Sequence, residues 1–132
     1  MGGHILVTGG AGFIGSHVCE RLINSNEKVI CIDNFNDFYN PELKENNIKG
    51  IVRNPNFRLY RASITDFDKV KDIFNKNKID KIIHLAARAG VRPSFRNPGL
   101  YQETNVKGTL NILELAKEFG VQNFIFTSSS SI

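Results

Sequence analysis

The sequence predicts an α/β protein: a doubly wound parallel sheet of five strands with helices on both faces. Three observations predict it. Short apolar runs recur at residues 5–7, 28–32, 57–61, 81–87 and 122–128. The segments between them have helical period and are long enough to cross over and return a parallel neighbour. A glycine-rich turn at residues 9–15 separates the first apolar run from the first helical segment. Right-handed crossovers complete the doubly wound arrangement.

Ile5-Leu6-Val7 reads as a buried strand. Gly9, Gly12 and Gly15 follow, and a helical pattern begins with Ile14, Val18, Leu22 and Ile23 on one face. A glycine triplet alone marks many ordinary turns. Between a strand and a helix, with an acid further on, it matches the dinucleotide-binding fingerprint. Gly9 permits the tight turn, Gly12 lets backbone approach a pyrophosphate, and Gly15 lets the helix pack close to the strand. The helix N-terminus adds N–H groups and a partial positive charge. The second strand, 28–32, ends at Asp33, about 20 residues past the glycines, where a ribose hydroxyl is held. A carboxylate there accepts from both hydroxyls of an unphosphorylated ribose and repels a 2′-phosphate. No arginine follows in Asn34-Phe35-Asn36, so NAD is expected over NADP.

Residues 34–56 read as a loop and a short helix over 41–49, with Pro41 in its first turn. Residues 57–61 alternate in character and form the third strand. Thr65-Asp66 caps a helix running to about Asn77, with Val70, Ile73 and Phe74 inward. The fourth strand is 81–87. Residues 88–98 contain Gly90, Pro93 and Pro98 and are expected to exclude regular helix. A long helix over 98–119 carries Leu110, Leu113, Ala116 and Lys117 in its pattern, and Gly120 stops it. The fifth strand, 122–128, places Phe124 and Phe126 near an uncovered edge or face, so self-association is expected.

A chain of 132 residues suffices for one domain with a core. Seventeen basic and thirteen acidic residues leave a net charge of +4. The basic residues are dispersed and not interleaved with aromatics, which disfavours a nucleic-acid partner. Cys19 and Cys31 fall in the first helix and second strand and read as reduced core residues of a cytoplasmic protein. No apolar run is long enough to span a membrane, and no signal peptide is read at the N-terminus. His84 lies in an apolar strand and reads as a core histidine. His4 and His17 have no metal-ligand spacing. Arg88 and Arg92 follow the fourth strand, where open α/β sheets bind ligands. Two guanidiniums there suit a carboxylate or diphosphate; a plain surface role is the alternative.

Five motifs in order carry a resemblance: Thr8-Gly-Gly-Ala-Gly-Phe-Ile-Gly15, Asp33-Asn34, His84-Leu-Ala-Ala87, Asn105-Val-Lys-Gly-Thr109 and Phe126-Thr-Ser-Ser-Ser-Ser131. Together they resemble the extended short-chain dehydrogenase/reductase family, specifically its NAD-dependent nucleotide-sugar epimerases and dehydratases. Residues 86–94 look most like the UDP-glucuronate 4-epimerase branch. The resemblance implies a Rossmann-type NAD domain. It implies that Gly9, Gly12, Phe13, Ile14 and Gly15 frame the pyrophosphate. Asp33, with Asn34 beside it, would hold the adenosine ribose, and Ala86 and Ala87 would pass the nicotinamide side. Asn105, in the long helix, would support the geometry around the cofactor. Ser129, between Ser128 and Ser130, matches the family's catalytic Ser/Thr, and a UDP-hexuronic acid is the implied substrate. The sequence departs at Ser63-Ile64: Ile64 can pack on adenine, but the family often has an acid where Ser63 stands.

The family's mechanism also needs a tyrosine with a lysine four residues later. Tyr39, Tyr60 and Tyr101 are followed at that spacing by Leu43, Ile64 and Asn105. Residues 1–132 are therefore expected to be the NAD-binding part of a larger epimerase, lacking the Tyr/Lys pair and the sugar-nucleotide part, and inactive alone. A homodimer or self-associating fragment is expected. Two alternatives stand: a nucleotide-sugar 4,6-dehydratase, disfavoured because Ser130 and Ser131 stand where acids usually follow, and a non-catalytic NAD-binding module.

Overall fold

The computed structural model describes residues 3–35, 41–88 and 91–127, and of residues 91–93 the backbone alone. The elements run β1 (His4–Thr8), α1 (Phe13–Asn24), β2 (Val29–Asp33), α2 (Pro41–Ile48), β3 (Phe57–Arg61), α3 (Phe67–Lys76) and β4 (Ile79–His84). Then come α4 (Val91–Arg96), α5 (Pro98–Gln102), a π-helical segment (Glu103–Gly108), α6 (Thr109–Glu118) and β5 (Asn123–Phe126). The five strands form one parallel sheet in the order β3-β2-β1-β4-β5. The chain steps outward from β1 to β3, then crosses back to place β4 on the other side of β1. The order reverses between β1 and β4, and ligands of open α/β sheets bind at such a point, beyond the carboxyl ends of the strands.

Strand residues alternate between faces, and both faces of the central strands β1 and β2 are covered. Leu6, Ile30, Ile32 and Ile82 pack with Val70, Ile73 and Phe74 of α3 and Ile112 and Leu115 of α6. Ile5, Val7, Val29 and Cys31 pack on the other face with Cys19 and Ile23 of α1 and Ile48 of α2. A sheet buried on both faces explains why β2 is apolar from Val29 to Ile32. Cys19 and Cys31 are free and buried. Their sulfurs meet over Gly10, where an added Cβ would lie 2.5 Å from the Cys31 sulfur. The Cys19 hydrogen bond and burial push the Cys31 thiol far up, so it stays protonated.

Four expectations need correction. First, Ile14 is 61% exposed; α1 buries Gly15, Ser16, Cys19 and Ile23 instead, because small residues let the helix approach the sheet. Second, residues 91–96 are helical; Pro93 falls within the first turn, where its missing N–H breaks no intrahelical bond. Third, the expected long helix is interrupted. Asn97 caps α5 by accepting from Leu100 N at 3.3 Å, and the π-helical segment then feeds α6. α6 buries Asn111, Ile112, Leu115 and Ala116, whereas Leu110 and Leu113 are exposed. The sequence carries two apolar stripes here, and period alone does not say which one meets the sheet. Fourth, β5 is an edge strand, as expected, but of its two phenylalanines only Phe126 is exposed; Phe124 is half-buried against the core, and Asn123 and Ile125 are exposed as well.

The buried stripe of α6 is directly testable. Ile112→Ala should lower the unfolding free energy by about 2–5 kcal/mol, and Leu113→Ala by no more than about 0.5 kcal/mol. Urea denaturation of the two variants checks the assignment.

Candidate nucleotide site at the switch point of the sheet

The glycine turn is built by contact with the ends of β2 and β4. Gly9 N donates to Ile32 O at 2.7 Å. Gly9 has φ +71, and an added Cβ would stand 2.9 Å from Ala86 N. Both its backbone conformation and its closeness to the β4 loop therefore require glycine. An added Cβ on Gly15 would strike the Gly9 carbonyl, so α1 lies directly on the turn. Gly12 is the N-cap of α1 in extended backbone; no side chain caps the helix, and its first turn holds no acid. Its leading N–H groups have no intrahelical acceptor and suit an anion. The side chains of Phe13 and Ile14 point outward, so these two residues offer backbone, not side chain, to the turn.

Asp33 closes the other side. Its carboxylate is buried and accepts three hydrogen bonds from within the chain, which leaves an acceptor site on Oδ2. Oδ2 accepts from Ala11 N at 3.1 Å; Oδ1 accepts from Phe35 N at 2.8 Å and from Lys44 Nζ at 3.0 Å. Lys44 is itself buried. Its place was legible in retrospect: it stands four residues before Ile48 on α2, the spacing that puts two side chains on one helix face. Asn47, also on α2, donates to Ala11 O at 3.0 Å, so α2 holds the glycine turn directly and, through Lys44, the carboxylate that the turn also meets.

The cleft between these walls is lined by Gly9, Gly12, Asp33, Asn34 and Lys44, by Ala62, Ser63 and Ile64 after β3, by Ala86 and Ala87 after β4, and by Thr104. Ile64 is buried and packs over Gly108, where an added Cβ would lie 2.6 Å from its side chain. Ser63 is turned to its own loop: its Oγ lies 2.7 Å from Thr65 Oγ1 and accepts from Thr65 N. Thr104 was not anticipated; it reaches the cleft because the π-helical segment widens the turn that carries it. Asn105 does not line the cleft. Its Oδ1 accepts from Arg88 N at 2.8 Å and its Nδ2 donates to Arg88 O at 3.1 Å, so it clamps the β4 loop. Arg88 is half-buried beside this clamp. Arg92 lies in α4, its side chain outside the described residues, and Ser128, Ser129 and Ser130 lie outside them as well. Among the described residues no His, Cys, Asp and Glu cluster could hold a metal, and no helix is long and apolar enough to cross a membrane.

His84 is buried at the end of β4. Its Nδ1 lies 2.6 Å from Thr8 Oγ1 and its Nε2 2.8 Å from Thr109 Oγ1. Burial lowers its pKa from 6.5 to about 4. The folded protein thus refuses a proton that the unfolded chain accepts, and stability is lost as pH falls from about 6.5 to 4, by a total on the order of 3 kcal/mol. Removing the imidazole should remove that part of the pH dependence. Denaturation of His84→Gln and the unaltered chain at pH 7 and pH 4.5 should show their stability difference narrowing at the lower pH; a constant difference would contradict the assignment.

Residues 6–132 match the model of the family described as GDP-mannose 4,6 dehydratase. The chain is 47% identical to the UDP-glucuronate 4-epimerase of Thermodesulfobacterium geofontis over 98% of its own length and 40% of that protein's. It superimposes on the crystal structure of UDP-glucuronic acid 4-epimerase from Bacillus cereus, solved with UDP-glucuronic acid and NAD. There the TM-score is 0.89 at 38% identity, covering 98% of this chain and 41% of the other. The UDP-glucose 4-epimerase of Thermotoga maritima, solved with UDP-glucose, gives a TM-score of 0.83 at 40% identity over 96% of this chain and 38% of the other. The chain therefore spans about two fifths of the relatives it matches. With its five-stranded Rossmann-type sheet and a family match over nearly its whole length, the chain belongs to the GDP-mannose 4,6 dehydratase family of nucleotide-sugar enzymes.

Proposed function

We propose that this chain is the NAD-binding part of a UDP-glucuronate 4-epimerase. One observation carries the reading: the uncapped N-terminus of α1 and the buried Asp33 meet in one cleft at the point where the strand order reverses. The residues fit a dinucleotide. Gly9 and Gly12 expose backbone, the first turn of α1 suits a diphosphate, and Asp33 suits a ribose diol. The choice of sugar rests on the relatives that act on UDP-glucuronate and on the resemblance carried by residues 86–94.

Bound NAD supplies a hydride acceptor and donor for transient oxidation at C4 of the sugar. The chain's own part is to hold and orient. The α1 amides fix the pyrophosphate, Asp33 fixes the adenosine ribose with Lys44 compensating its charge, and Ile64 packs against the base. Ala86 and Ala87 present small side chains at the nicotinamide side, so the sugar can come close. Arg88 follows them in the chain, and its guanidinium would suit the anionic groups of the nucleotide sugar. Ser129 would hydrogen-bond the hydroxyl that is oxidised. The proton-transferring tyrosine and its lysine belong, on this reading, to the remainder of the enzyme.

Calorimetric titration should show NAD⁺ binding and NADP⁺ binding at least about tenfold more weakly. Asp33→Ala should weaken NAD⁺ about tenfold or more, as expected for loss of a charge-assisted hydrogen bond. Equal affinity for both cofactors would overturn the ribose assignment. The same chain should leave UDP-glucuronate unepimerised, and turnover would show that its acid–base group lies among these residues.

We also propose self-association through the second apolar stripe of the helix, Val106, Leu110 and Leu113, which are 61%, 53% and 45% exposed. Sedimentation over a concentration series should show a dimer that Leu110→Lys dissociates; a monomer at every concentration would refute it.

A further inference from the structure

The β4 loop that forms one wall of the cleft is pinned at two places. At its start, Leu85 N and Ala86 N donate to Thr8 Oγ1 at 3.0 and 3.1 Å. At its end, the Asn105 side chain holds both backbone groups of Arg88. His84 stands between the pins, with Thr8 Oγ1 on one nitrogen and Thr109 Oγ1 on the other. Thr109 Oγ1 in turn donates to Asn105 O at 2.8 Å.

Counting protons leaves one arrangement. The Thr8 hydroxyl has one proton and two lone pairs. Ala86 N fills one lone pair and Leu85 N, shared with the Thr8 carbonyl at 3.1 Å, approaches the other, so the hydroxyl proton goes to His84 Nδ1, the one acceptor within reach among the described residues. The imidazole is neutral, so its own proton sits on Nε2 and is donated to Thr109 Oγ1, whose proton goes to Asn105 O. The opposite tautomer would add the imidazole N–H to the amides already on Thr8 Oγ1, strand the buried hydroxyl proton, and draw the Thr109 proton away from Asn105. Every donation in the chain therefore runs one way, from β1 through His84 to the π-helical segment.

We propose that His84 is a positioning residue: its Nε2–H tautomer couples the Thr8 pin to the Asn105 pin and so holds the wall at residues 85–88 in one conformation. Its consequence for cofactor affinity rests on the NAD reading above; its consequence for the wall does not. His84 also lies beside the rings of Phe124 and Phe126 on the neighbouring strand, at centroid distances of 6.1 and 6.0 Å. His84→Phe therefore keeps an aromatic ring in that packing and removes both hydrogen bonds. Thr109→Val breaks the same chain one link further on, and His84→Gln restores one acceptor and one donor.

The test is NMR of the isotope-labelled chain at neutral pH. Long-range nitrogen–proton spectra should show His84 protonated on Nε2; protonation on Nδ1 would overturn the proposal. Exchange of the Arg88 amide should quicken about tenfold in His84→Phe and in Thr109→Val, as for loss of one hydrogen bond. The amides of Val7 and Ile30 should stay protected, His84→Gln should remain near the unaltered chain, and the double variant should be no worse than the worse single one. Unchanged Arg88 exchange in the single variants would refute the coupling. If His84→Phe exposes the strand amides as well, Thr109→Val alone decides. NAD⁺ affinity should fall about tenfold alongside Arg88 protection; a loosened wall with full affinity would refute the role in positioning. Absence of NAD⁺ binding by the unaltered chain would defeat the nucleotide reading, and the Arg88 amide would still decide the coupling.

Discussion

The buried carboxylate of Asp33 is the constraint around which the cleft is built. A charge removed from water is tolerated only when it is paired and hydrogen-bonded. Here the partners come from three parts of the chain: the glycine turn through Ala11, the segment after β2 through Phe35, and α2 through Lys44. Satisfying one anion therefore fixes the turn against β2 and α2 against the turn. Such a pair adds little net stability, because desolvation offsets much of the attraction. What it supplies is a defined geometry in the place where the chain carries its glycines and would otherwise be loosest.

The opposite wall solves the same problem with neutral groups. Thr8, His84, Thr109 and Asn105 form a chain of hydrogen bonds in which each member has one role. The π-helical segment carries the end of this chain: the Thr109 hydroxyl donates to the Asn105 carbonyl four residues back, as threonines in helices do, the Asn105 side chain holds Arg88, and Gly108 lies flush against Ile64. Such segments interrupt α-helices frequently at functional sites, and here the interruption immediately precedes α6.

Much of this was legible in the sequence. The strands, the glycine turn, Asp33 and the inward face of α3 follow from periodicity, glycine spacing and turn chemistry, which act over a few residues. What was not legible depends on contacts distant in sequence. Lys44 shares a face of α2 with Ile48, yet its burial was not read, since a lysine on a short polar helix is usually solvated. The apolar face of α6 is ambiguous because Leu110 and Leu113 compete with Ile112 and Leu115. Ile14 read as a core position because it fits the helical period; the small residues on the other stripe of α1 allowed the closer approach. Asn105 and Thr104 are neighbours in sequence, yet one clamps a loop and the other faces the cleft, a difference set by the widened turn.

The strand order also governs when the site can exist. Thr8 and His84 are 76 residues apart, and Asn105 must reach back to Arg88 before the wall is closed. Until β4 returns beside β1, the strand that carries the glycine turn has β2 on one side and an open edge on the other. A chain emerging from synthesis thus holds β1, β2 and β3 with one apolar face lacking α6. It completes its sheet only after a long loop has closed, a step whose entropy cost precedes any reward. The topology therefore makes the pairing of β4 with β1 the long-range step of folding, so substitutions at the β1–β4 seam are expected to act on the speed of folding apart from any effect on the finished cleft.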